Sequence, residues 1–155
     1  MNEVMYIIRQ RPPNWFFRRP DFDSRLLKLD ALTLKSFYHS KGFLDVKVEE
    51  SYSIENNSAN IVYDILEGKQ YFLSNVVVQG NESVSTKKIN KLLGLTENKP
   101  YNPVFINDNL FAVENEYHQI GKLFFTIQVL DDISDSVKVT VQIEEGKEVR
   151  IKTRI

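Results

Sequence analysis

Two tyrosine–histidine pairs, Tyr38-His39 and Tyr117-His118, are the features of this sequence that most invite a chemical reading. Imidazole titrates near neutral pH, so it can act as a general base or bind a metal. A metal site needs further ligands at defined spacing. The chain has only two histidines and no cysteine, and neither histidine has a second histidine or a carboxylate at ligand spacing. A base needs a nucleophile to activate, and no nucleophile elbow, P-loop or metal signature occurs. Each histidine also follows, by one position, a tyrosine that belongs to an apolar stripe, which turns it away from that stripe. The reading is a solvated histidine at a helix end, where a cation complements the terminal carbonyls. Tyr38 and Tyr117 are read as core aromatics with the hydroxyl at the edge. No catalytic residue, cofactor or metal is expected.

The pairs recur because the chain repeats itself, and a repeat decides the architecture. Tyr38, His39 and Gly42 match Tyr117, His118 and Gly121, 79 positions on; Phe22 and Asp23 match Tyr101 and Asn102 in the same register. Leu44, Val46 and Val48 match Leu123, Phe125 and Ile127. Beyond a loop the offset falls to 78: Ala59, Ile61, Tyr63 and Ile65 match Val137, Val139, Val141 and Ile143, and "EGK" at residues 67–69 matches "EGK" at residues 145–147.

The second copy reads as β-α-α-β-β. "FLSNVVVQGN" is a strand that ends in a Gly80-Asn81 turn. Ser85 caps a helix carrying Ile89, Leu92 and Leu93, and Gly94 stops it. Asn102 caps a second helix with Pro103 at its first position, where the missing N–H costs nothing. Its stripe is Ile106, Leu110, Val113, Tyr117 and Ile120, and Gly121 ends it. Two alternating strands follow, over residues 123–129 and 137–143. In the first copy Leu27, Ala31, Leu34 and Tyr38 make the second-helix stripe and Gly42 stops it. Gly68 and Gly146 read as turns after the third strand. "MYIIRQ" falls in the place of the first helix, Pro12 and Pro13 block its continuation, and no residues remain for a first strand. The expected organisation is a unit over residues 1–69 lacking its first strand, a complete unit over 70–148, and at 149–155 the start of another unit or a tail. The chain reads as a piece of a longer array.

Composition excludes some classes. There are 20 basic and 21 acidic residues, for a net charge of -1. Nucleic-acid binding draws its affinity from a basic excess, so no nucleic-acid partner is expected. No segment approaches the roughly 18 consecutive apolar residues of a membrane helix. "MNEVMYIIRQ" lacks the basic and apolar regions of a signal peptide.

The β-α-α-β-β order, Tyr-x-x-x-Gly before the second strand (Tyr38 to Gly42, Tyr117 to Gly121), Glu-Gly after the third (Glu67-Gly68, Glu145-Gly146) and Val78-Gln79-Gly80-Asn81 together resemble POTRA (polypeptide-transport-associated) domains. The chain is similar to the soluble arm of the BamA/TamA group of outer-membrane assembly proteins. Lys122 departs from that pattern, standing where the family usually has an aromatic that Phe43 retains. The resemblance implies an α+β fold in which each unit packs two helices on a three-stranded mixed sheet. It implies a periplasmic location in a Gram-negative bacterium, ahead of a membrane β-barrel. It also implies partners among unfolded outer-membrane protein clients, accessory assembly proteins and that barrel, and no enzymatic activity.

The resemblance places the second strand of each unit at the sheet edge, where unpaired backbone groups can add a partner strand. Asp45, Lys47 and Glu49 in the first unit, and Phe124, Thr126 and Gln128 in the second, are expected to point outward on those strands and to meet the partner, with Phe124 the preferred contact. Trp15, Phe16, Phe17, Arg18 and Arg19 either cover the first unit's core or form a patch for a partner or a membrane. A second functional reading is a spacer or docking arm for a translocation or lipid-transfer partner, without client binding. The tail at residues 149–155 could also complete the sheet of another copy by strand swapping.

Overall fold

The computed structural model describes residues 22–149, which fall into two compact units divided between Gln70 and Tyr71. The fold is α+β, with helices packed on antiparallel or mixed sheets.

In the first unit, helix α1 (Ser24–Ser40) begins at Asp23, whose side chain accepts from the Arg25 N–H. Leu27, Ala31 and Leu34 are buried on its inner face. The helix packs on strand β1 (Lys47–Glu55), which pairs antiparallel with β2 (Ser58–Leu66). Asn56 and Asn57, both at positive φ, form the two-residue turn between them, the twist that suits a tight hairpin.

The second unit contains β3 (Leu73–Gln79), α2 (Thr86–Leu92), α3 (Pro103–Gln119), β4 (Thr126–Ile133) and β5 (Val137–Glu144). The sheet order is β3-β5-β4: β5 lies between a parallel neighbour, β3, and an antiparallel one, β4. The Ser85 side chain accepts from Lys88 N–H and the Asn102 side chain from Phe105 N–H, so both helices start where capping chemistry favours it. Val137, Val139, Val141 and Ile143 alternate along β5 and form the core with Ile89, Leu93, Ile106, Val113 and Tyr117. All six glycines have positive φ. At Gly80 the requirement is strict: an added Cβ would lie 1.9 Å from the Ile143 carbonyl oxygen.

Two expectations for the strands need correction. Asp45 and Phe124 do not lie on strands; each sits in a turn before one, because β1 begins at Lys47 and β4 at Thr126. Leu123, expected inward, is 51% exposed. Alternation continues through the turn in the sequence, but the hydrogen-bonded ladder does not. The Trp15–Arg19 cluster, the first-helix segment and residues 150–155 lie outside the described residues.

Candidate functional site

The margins of the second unit's sheet are unequal. On the β3 side, the outward groups of the first residues are already taken. Leu73 N–H donates to Lys99 O at 2.9 Å, Asn98 N–H to Leu73 O at 2.7 Å, and Tyr101 N–H to Tyr71 O at 2.9 Å. Phe72 and Pro100 form an isolated bridge. The β3–β5 register also shifts between Leu73 and Asn75, and such an irregularity hinders further pairing. On the β4 side, eight residues pair with β5 without a break, and among the described residues no strand lies beyond them.

Which backbone groups face that open margin follows from β5. Val137 N–H donates to Phe72 O, and Val137 O accepts from the Ser74 hydroxyl. The Ile143 carbonyl oxygen lies against Gly80. The odd-numbered residues of β5 therefore address β3, and the even-numbered ones address β4, since successive residues of a strand point their polar groups to opposite sides. Lys138, Thr140, Gln142 and Glu144 pair with Asp132, Leu130, Gln128 and Thr126. The N–H and C=O groups left for a guest belong to Ile127, Val129, Asp131 and Ile133. In the first unit the hairpin register pairs Glu55 with Ser58 across the turn. Stepping back by twos, Val48, Glu50, Tyr52 and Ile54 hold the outward groups on β1.

The candidate contact residues are therefore adjacent to the groups that would do the pairing. Thr126 and Gln128 are exposed on β4, and Lys47 and Glu49 on β1, but their backbone groups bond inward. Phe124 is 72% exposed at the mouth of the edge, and Gly146 lies under it, with space for no side chain: an added Cβ would be 2.7 Å from Phe124 O. Asp45 stands over Gly68 in the same way, 3.1 Å from such a Cβ. The parity of the hydrogen bonds carries no signature in side-chain type, so the sequence alone does not tell which alternate residues hold the outward backbone groups.

The tyrosine and Glu-Gly motifs, 28 residues apart in sequence, meet in space. Tyr117 is fully buried and stacks on Phe125, with ring centroids 4.8 Å apart. Burial, then the neighbouring Glu145 charge, pushes its phenol far above the usual range. Glu145 is itself buried. Its carboxylate accepts from Ser83 N–H at 2.6 Å and from the Ser83 hydroxyl, and lies 3.4 Å from the Lys122 ammonium. Burial opposes its charge, but the two Ser83 bonds and Lys122 outweigh it and hold the carboxyl below its ordinary value. Lys122 thus neutralises Glu145 at the position where Phe43 in the first unit packs edge-on against Tyr38, with centroids 6.0 Å apart. Burial and then Glu67 raise the Tyr38 phenol in the same sense. In the second unit Ser83, Glu145 and Lys122 bind one another and fasten that end of the unit, while the Tyr117 hydroxyl is buried without a hydrogen-bond partner among the described residues.

The histidines separate. His118 Nε2 lies 3.8 Å from Glu114 Oε1, one helical turn back, a carboxylate neighbour the spacing argument overlooks. His39 is half-buried and its Nε2 is closed off from solvent; the solvated position expected for it is not what is found. A further polar contact was invisible in the sequence: Asp30, fully buried on α1, accepts from Tyr63 OH at 3.3 Å. Burial first, then the Asp30 charge, pushes the Tyr63 phenol up to about 12. Among the described residues no group of three or more His, Cys, Asp or Glu side chains is placed to hold a metal ion.

The family model for POTRA, described as a surface antigen variable number repeat, matches residues 71–146. The outer membrane protein assembly factor BamA of Buchnera aphidicola is 28% identical over 126 residues, covering 78% of this chain and 19% of its own length. A relative from Treponema pallidum is 24% identical over 107 residues, covering 64% of this chain and 13% of its own. The chain thus spans less than a fifth of these relatives. The crystal structure of Haemophilus influenzae BamA POTRA3-5 superposes with a TM-score of 0.63 at 18% identity, covering 95% of this chain and 61% of that one. At that identity the likeness is one of fold.

Proposed function

This chain carries a POTRA domain of the BamA family, and from that premise we propose that it works as the periplasmic arm of an outer-membrane assembly protein, taking up client polypeptides or accessory proteins by adding one of their strands to its sheet. One observation supports this reading above the others: β4 is open and regular along its whole length, while β3 is bulged and partly covered. Pairing through the backbone tolerates many guest sequences, which suits clients whose common property is a β-strand. The reading assigns no catalysis.

Titration of a peptide copied from a barrel strand, followed through backbone amides, tests it. The amides of Ile127, Val129, Asp131 and Ile133 are expected to move, and those of Val48 and Glu50 in the first unit. A response confined to other surfaces defeats strand addition. No binding at all would favour an arm that only spaces and docks other components.

A further inference from the structure

A strand that adds to β4 meets two different faces of the sheet. The helix side is apolar: Val137, Val139, Val141 and Ile143 of β5 are buried there, and Ile127 and Val129, paired with Ile143 and Val141, are half-buried beside them. The end of α3 meets the start of this margin. Phe125 stacks on Tyr117, and the His118 ring lies edge-on to Phe125 with centroids 6.1 Å apart. The apolar strip runs as far as Asp131, whose carboxylate accepts from the Tyr101 hydroxyl at 3.2 Å. On the other side of the sheet Thr126 and Gln128 are exposed, across from Glu144 and Gln142; Leu130, 41% exposed, interrupts that polar side.

Side-chain direction and hydrogen-bond direction both alternate with period two, so each parity of a strand ties one face to one margin. On β4 the residues whose N–H and C=O groups point outward, Ile127 and Val129, are also those that face the helices. The first unit has the same phase. Along β1, Val48 and Glu50, which hold outward groups, are half-buried, and Lys47, Glu49 and Ser51 are exposed.

An antiparallel guest inherits this coupling, because residues directly opposite each other bond together and point to the same face. A parallel guest reverses it, since its bonding residues flank the one that lies opposite. The antiparallel ladder is the firmer per residue, and it is the one β4 already forms with β5.

We propose, on the footing of strand addition at β4, that this margin selects antiparallel strands in which apolar and polar residues alternate. The apolar residues of the guest, set opposite Ile127 and Val129, are then the ones whose backbone groups make the bonds.

The probe is a short capped peptide of threonines with two valines two positions apart and a lysine at each end. It is titrated into the full chain, with the backbone amides of Ile127 and Val129 as the readout. A peptide of the same composition with its valines adjacent can turn only one of them to the helix side, and should bind roughly tenfold more weakly. N-methylation of either valine in the alternating peptide removes a bonding N–H and should weaken binding roughly tenfold or more. N-methylation of the threonine between them, whose N–H faces away from β4, should leave affinity nearly unchanged. Equal affinity of the alternating and adjacent peptides overturns the proposal, and so does sensitivity at the threonine, as a parallel guest would give. In both cases the two amides still respond, so strand addition itself stands. Amides of Ile127 and Val129 that respond to none of the peptides overturn the proposal and strand addition together.

Discussion

A proline at Val129 separates the open margin from the fold that carries it. The Val129 N–H faces away from β5, so proline there removes no ladder bond, and an edge strand accepts proline in that orientation. The half-buried valine side chain is lost, at about 1 kcal/mol, or roughly 4–8 °C in Tm for a domain of this size. A guest strand loses more. One hydrogen bond disappears, worth about 1 kcal/mol net, and a guest carbonyl left without a donor adds up to about 2 kcal/mol. Affinity should fall by roughly five- to hundredfold, since about 1.4 kcal/mol is a factor of ten. Gln128→Pro is the opposite case: its N–H belongs to the pairing with Gln142, so it should break the ladder and unfold the margin. Calorimetric titration of a barrel-strand peptide, run below both melting temperatures, reads the difference. Unchanged affinity in Val129→Pro would refute strand addition at β4.

Other expectations concern the framework. Gly80→Ala combines a φ of 79° with a Cβ placed 1.9 Å from a backbone oxygen; a loss of at least about 3 kcal/mol is expected in urea unfolding, and a loss under about 1 kcal/mol would contradict the packing of Gly80 on Ile143. Tyr117→Ala removes a fully buried ring stacked on Phe125 and should cost about 3–5 kcal/mol, measured by the same unfolding curve. Glu145 has a lowered pKa in the folded state. Its contribution is therefore complete above the unfolded value of about 4.3 and fades as pH falls through the lower folded one. Between pH 7 and pH 3 the parent's urea midpoint should drop further than that of Glu145→Gln, and parallel curves would show that the Ser83 and Lys122 contacts contribute nothing.

Much of the framework was legible because local chemistry dictated it. Ser85 and Asn102 with Pro103 are caps whose side chains can reach their own backbone, and the structure uses both. The repeat was legible because two copies with the same β-hairpin register must share spacing. Other features depend on contacts across the fold. Alternation ran through Leu123 and Phe124 as cleanly as through Ile127, yet a ladder begins only where a partner strand is in reach. The coverage of β3 by Lys99 and Pro100 is made by backbone groups, which every residue has. The burial of Asp30 beneath Tyr63 and the approach of Lys122 to Glu145 join residues far apart in sequence, where no spacing rule applies.

The inequality of the two margins also bears on capacity. A sheet bulged and partly covered at β3 and open at β4 grows most readily in one direction, and the first guest to pair occupies that direction. The second unit should therefore saturate at one guest strand, however long or abundant the client, and further strands would have to build on the guest itself.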